Sequence, residues 1–297
     1  MRVNPNMAPD VLAAIAHAQQ QQSVALQQVA TGKRVNLPSD DPAAAAALVE
    51  NHNRGDVNDQ YSQNGSTVLG MMQAAESVLS SVVSEVSQAV SVGVEGANGT
   101  LSDQNRQTLA QQVLGTLQSV VSQANTAYRG IYLFGGTAST TTPFTPSGTS
   151  PSGYQYNGNG NVNTVAIGDG YKIQVNLPGD QLFQQPGSDL MGSLQQLVSA
   201  LQGGDTATIG TTTNQLRQAL DHVTQQRAFY GNVASQINTQ EAFLQKETVN
   251  IKSEEDSLVG VDMATAATNF SLAQTSTQAT MTAAARVLQE SLLDYLK

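Results

Sequence analysis

The sequence predicts a mainly α fold: an elongated helical hairpin or coiled-coil rod with paired terminal helices and a small central β-rich insert. Three observations carry this. Residues 10–31 and 263–297 space their apolar side chains by three and four. Leu216, Val223, Tyr230, Ile237, Leu244, Ile251 and Leu258 recur every seven residues. Between the helical halves, residues 135–187 are dominated by Gly, Thr, Pro, Ser and Asn.

Taken in order, the first helix aligns Leu12, Ile15, Gln19, Gln22, Leu26 and Val29. Its polar positions fall where a self-sufficient coiled coil carries Leu or Ile. Leu37-Pro38-Ser39-Asp40-Asp41-Pro42 stops that helix, and Asp41 is suited to cap the next one with Pro42 as its first residue. Val68, Met72, Ala75, Leu79, Val82, Val86 and Ala89 predict a second long helix that ends in the glycine-rich stretch 93–99. Leu109, Val113, Leu117, Val120, Ala124 and Tyr128 predict a third.

In the insert, Tyr154 and Tyr156 alternate, and a hairpin is expected over 163–176, with 164–167 and 171–175 flanking Gly168-Asp169-Gly170. The seven-residue repeat then gives a long helix whose second seam is mixed: Thr213, Leu220, Arg227, Ala234, Glu241, Thr248 and Glu255. One apolar seam suits packing against the helices at 66–92 and 103–128. The last helix aligns Met263, Ala267, Phe270, Gln274, Thr277, Met281, Ala284, Leu288, Ser291 and Tyr295, again with polar or small residues in mid-stripe. The expected organisation is an N-terminal helix (1–37), a helical rod half (38–134), a β-rich insert (135–190), the other rod half (191–259) and a C-terminal helix (260–297). Terminal helices with such thin stripes are expected to gain order in a packed array of copies, as an assembly subunit requires.

Composition narrows the function classes. Charged residues make up 12% of the chain and aromatic residues 5%. Gln, Ser, Thr, Asn and Ala fill the rest of the surface vocabulary, which suits faces that pack against copies of themselves. The net charge is −10, and the 13 Lys and Arg are scattered, which argues against nucleic acid. Cysteine is absent, excluding disulfides, thiolate metal sites and cysteine nucleophiles. The N-terminal stretch has no apolar core of secretory-signal length, and no run of about 20 apolar residues is expected to span a membrane.

No catalytic constellation emerges. His17, His52 and His222 lie far apart, without a metal-ligand partner at helical spacing. Asp40-Asp41 reads as capping rather than as a paired carboxylate. Glu254-Glu255-Asp256 reads as a solvated face. Gly158, Gly160, Gly168 and Gly170 do not form a phosphate loop. Lys33 and Arg34 read either as cations offsetting the dipole at a helix C-terminus or as contacts for acidic partners. Tyr128, Tyr132 and Phe134 are expected to seal the join between helices and insert. No cofactor is expected.

Certain tracts carry a resemblance. Residues 29–43, Val-Ala-Thr-Gly-Lys-Arg-Val-Asn-Leu-Pro-Ser-Asp-Asp-Pro-Ala, resemble the N-terminal segment of the bacterial flagellin-like family. The Pro-Ser-Asp-Asp-Pro form, Tyr132-Leu-Phe-Gly-Gly136, and the C-terminal tracts Val261-Asp-Met-Ala, Ser271-Leu-Ala-Gln and Leu292-Leu-Asp-Tyr-Leu296 are closer to its hook-associated protein 3 branch, the hook–filament junction proteins. The first nine residues, with Pro5 and Pro9, depart from the family's start.

The resemblance implies a structural subunit forming a homo-oligomeric ring, with another junction protein on the hook side and flagellin on the filament side. It also implies a dedicated chaperone and type III export to the extracellular flagellum without a cleaved signal peptide. On this view Leu12, Ile15, Leu26, Val29, Phe270, Leu288, Leu292 and Tyr295 pack the inner tube. Lys33, Arg34, Asp40 and Asp41 form the load-bearing connection. Competing readings are a filament flagellin, a type III needle-tip or translocator protein, and a glycan-binding surface module.

Overall fold

The computed structural model describes the backbone of residues 7–150 and 152–295, with side chains over 9–150 and 152–286. Its elements run α1 (Met7–Thr31), α2 (Pro42–Gly96), α3 (Asp103–Ala124), β1 (Ala127–Tyr128), β2 (Ile131–Tyr132), β3 (Phe144–Pro146), β4 (Tyr154–Tyr156), β5 (Thr164–Gly168) and β6 (Tyr171–Gln174). There follow α4 (Gly179–Phe183), β7 (Gln184–Gln185), β8 (Ser188–Asp189), α5 (Leu190–Gly203), α6 (Thr206–Val259) and α7 (Met263–Tyr295). The chain is mainly α with small β hairpins, as the periodicities predict. It divides into two compact units, residues 58–245 and residues 1–57 with 246–297.

In the 58–245 unit the predicted stripes form the core. Val68, Met72, Leu79, Val82 and Val86 of α2 are buried with Val113, Leu117 and Val120 of α3. So are Leu216, Val223, Tyr230 and Ile237, the first four members of the seven-residue repeat in α6. Burial raises the Tyr230 hydroxyl pKa far above its ordinary 10. By length and composition alone, α2 contains a window (mean hydropathy 1.3) apolar enough to cross a bilayer, contrary to expectation. About 33% of that window is buried, the share that one core-facing stripe of a helix takes.

One helix boundary differs from that the spacing predicts, and a separate helix, α5, precedes the seven-residue repeat. The third helix stops at Ala124 instead of reaching Tyr128. There the Asn125 side chain accepts from Phe144 N–H and donates to Phe144 C=O, both at 2.8 Å, so a residue 19 positions away takes over the hydrogen bonding. The helical stretch after 190 is two helices. Gly204, at φ +76°, ends α5 in the left-handed conformation open to glycine, and Asp205 caps α6 through the Ala207 and Thr208 amides. Arg106, which sequence reasoning passed over, is buried. It closes the α2–α3 turn by donating to the Gly96 and Asn98 carbonyls (3.4 and 3.3 Å) and to Asp103 (3.1 Å). The Gly96 carbonyl is in the last turn of α2, where carbonyls lack an intrahelical partner, and Arg106 supplies one.

The pair β1–β2 precedes the insert, which contains three further separate antiparallel pairs: β3–β4, β5–β6 and β7–β8. The expected hairpin at 163–176 is β5–β6, with a register shift between Ala166 and Gly168. It rests on the helices through Asn64 to the Ala166 carbonyl (3.0 Å) and Tyr171 to Gln236 (3.1 Å). Phe134, Phe144, Tyr156 and Phe183 form a small aromatic core, with centroids 5.2 to 5.8 Å apart. The Phe134 carbonyl accepts from Gly179 N–H (2.8 Å) and Tyr156 O–H (2.9 Å). Burial pushes the Tyr156 hydroxyl up to a pKa of about 12. The Tyr132-Leu-Phe-Gly-Gly136 tract therefore joins the helices to the insert, as expected. Phe134 is its fully buried anchor and Tyr128 packs over Gly70 of α2.

Candidate functional site

In the other unit α1 and α7 pair along their length. The seam between them is made of small side chains: Ala18 and Ala25 from α1 are buried with Ala266, Thr277 and Ala284 from α7. Small residues let two helix backbones approach closely, leaving room for a hydroxyl to bond across. Thr277 donates to the Ala273 carbonyl of its own helix (2.8 Å) and to the Ala18 carbonyl of α1 (3.2 Å).

This register differs from the one read from the large apolar residues. Ile15 and Val29 of α1 and Phe270 of α7 are half-buried. Leu12 and Leu26, by contrast, are 64% and 51% exposed. Val24, Leu272 (68%) and Met281 also face solvent; the spacing put Met281 in the stripe and passed over Val24 and Leu272. Each lies a single position from a residue nearer the seam, which is enough on a helix to turn a side chain by about 100°. Among these outward residues, Val24 and Leu272 line a groove of about 680 Å³ floored by Ala25 and Ala273. Leu288, Leu292 and Tyr295 lie in α7, but their side chains are outside the described residues.

Lys33, Arg34, Asp40 and Asp41 lie in the connector between α1 and α2, where Arg34 and Asp41 meet. Arg34 N–H donates to the Val259 carbonyl (2.6 Å) and Val261 N–H to the Gly32 carbonyl (3.1 Å). Lys33 thus faces Gly260 across a short antiparallel bridge. The Arg34 guanidinium donates to Asp41 (3.2 Å) and to the Leu258 carbonyl (3.0 Å). Arg34 therefore serves the C-terminal end of α6, not that of its own preceding helix, because the bridge carries it there. Asp40 accepts from the Asn36 and Leu37 amides (3.0 and 2.9 Å), which folds the Pro38 turn. Asp41 caps α2 by accepting from Ala44 N–H (3.0 Å), as its position before Pro42 predicts. That amide first, and then Arg34, hold its carboxyl below the usual range. Val35, Ala44 and Val259 form a small apolar cluster beneath the connector.

In the acidic run of α6, Glu254 and Asp256 are exposed, as a solvated face predicts, but the run also carries ion pairs. Glu254 and Glu255 meet Arg54 (3.4 Å) and His52 (3.3 Å) of α2, and Arg54 also pairs with Glu247. One arginine bridges two glutamates seven residues apart because that spacing returns to the same helix face. Among the described residues no group of three His, Asp or Glu could hold a metal ion.

Comparison with known proteins follows the same geography. Residues 3–139 match the bacterial flagellin N-terminal helical region, and residues 212–296 match the bacterial flagellin C-terminal helical region. Flagellar hook-associated protein 3 of Salmonella typhimurium is 29% identical over 276 residues, covering 85% of this chain and 86% of that protein. Flagellin of Listeria monocytogenes is 24% identical over 247 residues, covering 81% of this chain and 79% of that protein. The solved flagellar hook associated protein-3 from Legionella pneumophila shares the fold at a TM-score of 0.65 with 16% identity, over 71% of this chain and 98% of that one. The chain belongs to the bacterial flagellin family, and within it is similar to flagellar hook-associated protein 3.

Proposed function

We propose that this chain is a structural subunit of the bacterial flagellum that joins hook to filament and adapts one tubular lattice to the next. The observation that carries the reading is the α1–α7 pair, whose seam consumes small residues while Leu12, Leu26 and Leu272 remain outside. Large apolar side chains on both members of a helix pair are surfaces for neighbouring copies. Leu12, Ile15, Leu26, Val29 and Phe270, with Leu288, Leu292 and Tyr295, would pack an inner tube. Lys33, Arg34, Asp40 and Asp41 would carry load between that tube and the long helices. The subunit forms a ring, meets another junction protein toward the hook and flagellin toward the filament, uses a dedicated chaperone, and leaves the cell by type III export without signal cleavage. It catalyses no reaction.

Deletion in the source bacterium tests this. The expected result is intact hooks with flagellin shed into the medium. Filaments of normal length would overturn the reading. Loss of all secreted flagellin with the deleted gene would favour a filament subunit instead.

A further inference from the structure

The turn that leaves α2 holds an Asn-Gly pair, Asn98-Gly99, in an arrangement that prepares a reaction within the backbone. Leu101 N–H donates to the Asn98 carbonyl (3.2 Å), closing a tight turn. Within it the Asn98 side-chain Oδ1 accepts from Thr100 N–H (3.1 Å) and Thr100 O–H (2.9 Å). The chain from Asn98 Cγ back to Thr100 N encloses the Gly99 nitrogen. The bond to Thr100 therefore fixes the side-chain torsions that set the approach of Cγ to that nitrogen. Both donors lie where negative charge develops if the nitrogen attacks Cγ, as in an oxyanion hole. Asn98 and Gly99 are exposed, and a Cβ at Gly99 would meet nothing within 4 Å.

We propose that Asn98 is a site of spontaneous covalent modification, converting with time to a mixture of aspartate and isoaspartate. The Gly99 amide nitrogen bonds to Cγ, the Cγ–Nδ2 bond breaks, and the amide proton leaves with the departing group as ammonia. One water then opens either carbonyl of the cyclic imide. No oxidant or reductant takes part. Opening on one side adds a backbone atom and draws the Asn98 carbonyl away from Arg106, which donates to it at 3.3 Å. Opening on either side adds a negative charge beside the C-terminal end of α2, where the helix dipole disfavours it. The modification loosens the α2–α3 turn.

The other three Asn-Gly pairs are held against this reaction. Asn64 lies inside α2 and donates to Ala166, and Asn157 donates to Thr145 (2.8 Å). Asn159 also bonds the amide two residues on (3.2 Å), but it is clamped by Thr137, with its Nδ2 donating to the Thr137 hydroxyl (2.9 Å).

The test is timed incubation of the full chain in mildly alkaline buffer, with peptide mapping by mass spectrometry and isoaspartate detection. Asn98 should convert first of the four. Thr100→Val, which removes the hydroxyl donor and keeps the shape, should slow conversion about five- to tenfold. Gly99→Ala, for which there is space, should slow it further. Conversion at Asn157 or Asn159 before Asn98 would overturn the proposal. So would an unchanged rate in Thr100→Val, or no conversion at Asn98 while a peptide of the same sequence reacts.

Discussion

The hydroxyl of Thr277 donates to the main-chain carbonyl of Ala18 across the α1–α7 pair, 3.2 Å away. A side chain this short reaches a backbone only where helices pack at small-residue distance. That one contact explains why Ala18 and Ala25 are buried while Leu12 and Leu26 are not. The pair is held by backbone proximity, and its leucines are left for other surfaces.

Enlarging the seam should therefore damage the subunit itself. Ala18→Leu is expected to destabilise the 1–57 and 246–297 unit by about 1–3 kcal/mol through overpacking, read by chemical denaturation. Leu12→Ser with Leu26→Ser should leave stability within about 0.5 kcal/mol, as exposed positions do, yet abolish assembly and motility. If the serine variant swam normally, the outward leucines would not be the packing surface.

Acid should act through the helix caps. Asp41, Asp205 and Asp262 cap α2, α6 and α7, and each carboxyl lies below its ordinary 3.8. The leading causes are the Ala44 amide, the Thr208 hydroxyl and the Ala264 amide respectively. With folded values below unfolded ones, their stabilisation is complete above about pH 4 and is lost as pH falls through the folded values. Melting temperature should drop between about pH 4 and pH 2, and replacing all three with Asn, itself a good cap, should flatten that slope. An identical acid slope in the triple variant would refute this account.

Alone among the described non-glycine residues, Arg129 has a positive φ, at 52°. It precedes Gly130 in the β1–β2 turn, a position where Asn is preferred. The conformation costs about 1–2 kcal/mol, partly offset by the Arg129 guanidinium over the Tyr128 ring (5.4 Å), a contact worth about 0.5–1 kcal/mol when exposed. Arg129→Asn should raise stability by about 0.5 kcal/mol, visible as a small upward shift in thermal melting.

The aromatic core of the insert leaves no room at Gly179. A Cβ there would stand 2.8 Å from the Phe134 carbonyl and 2.9 Å from the Phe144 ring. Gly179→Ala should cost about 1–3 kcal/mol, and Phe134→Ala about 3–5 kcal/mol by emptying a fully buried site. Near-ultraviolet circular dichroism and denaturant midpoints would register both.

Periodicity alone was sufficient where one apolar face meets a large core. Leu79 and Val86 of α2 and Val223 and Ile237 of α6 are buried as their spacing predicts, because a wide apolar stripe has one stable orientation. Asp41 before Pro42 was legible for a local reason: capping needs only neighbouring amides. The connector was legible in identity but not in geometry. Arg34 binds a carbonyl 224 positions away, and no local rule points there.

What the sequence determined by itself is the helical plan, the Asp41 cap, the hairpin at 163–176 and the family. Each of these follows from short-range spacing or a contiguous motif. The predicted stripe of α7 already held Thr277 and Ala284 of the seam, and what only the tertiary structure decided is which face of α1 is inside. The stripe with larger side chains had the stronger hydrophobic signal, but two helix backbones approach most closely over alanine and threonine. Close packing and the Thr277 hydrogen bond turned Leu12 and Leu26 outward.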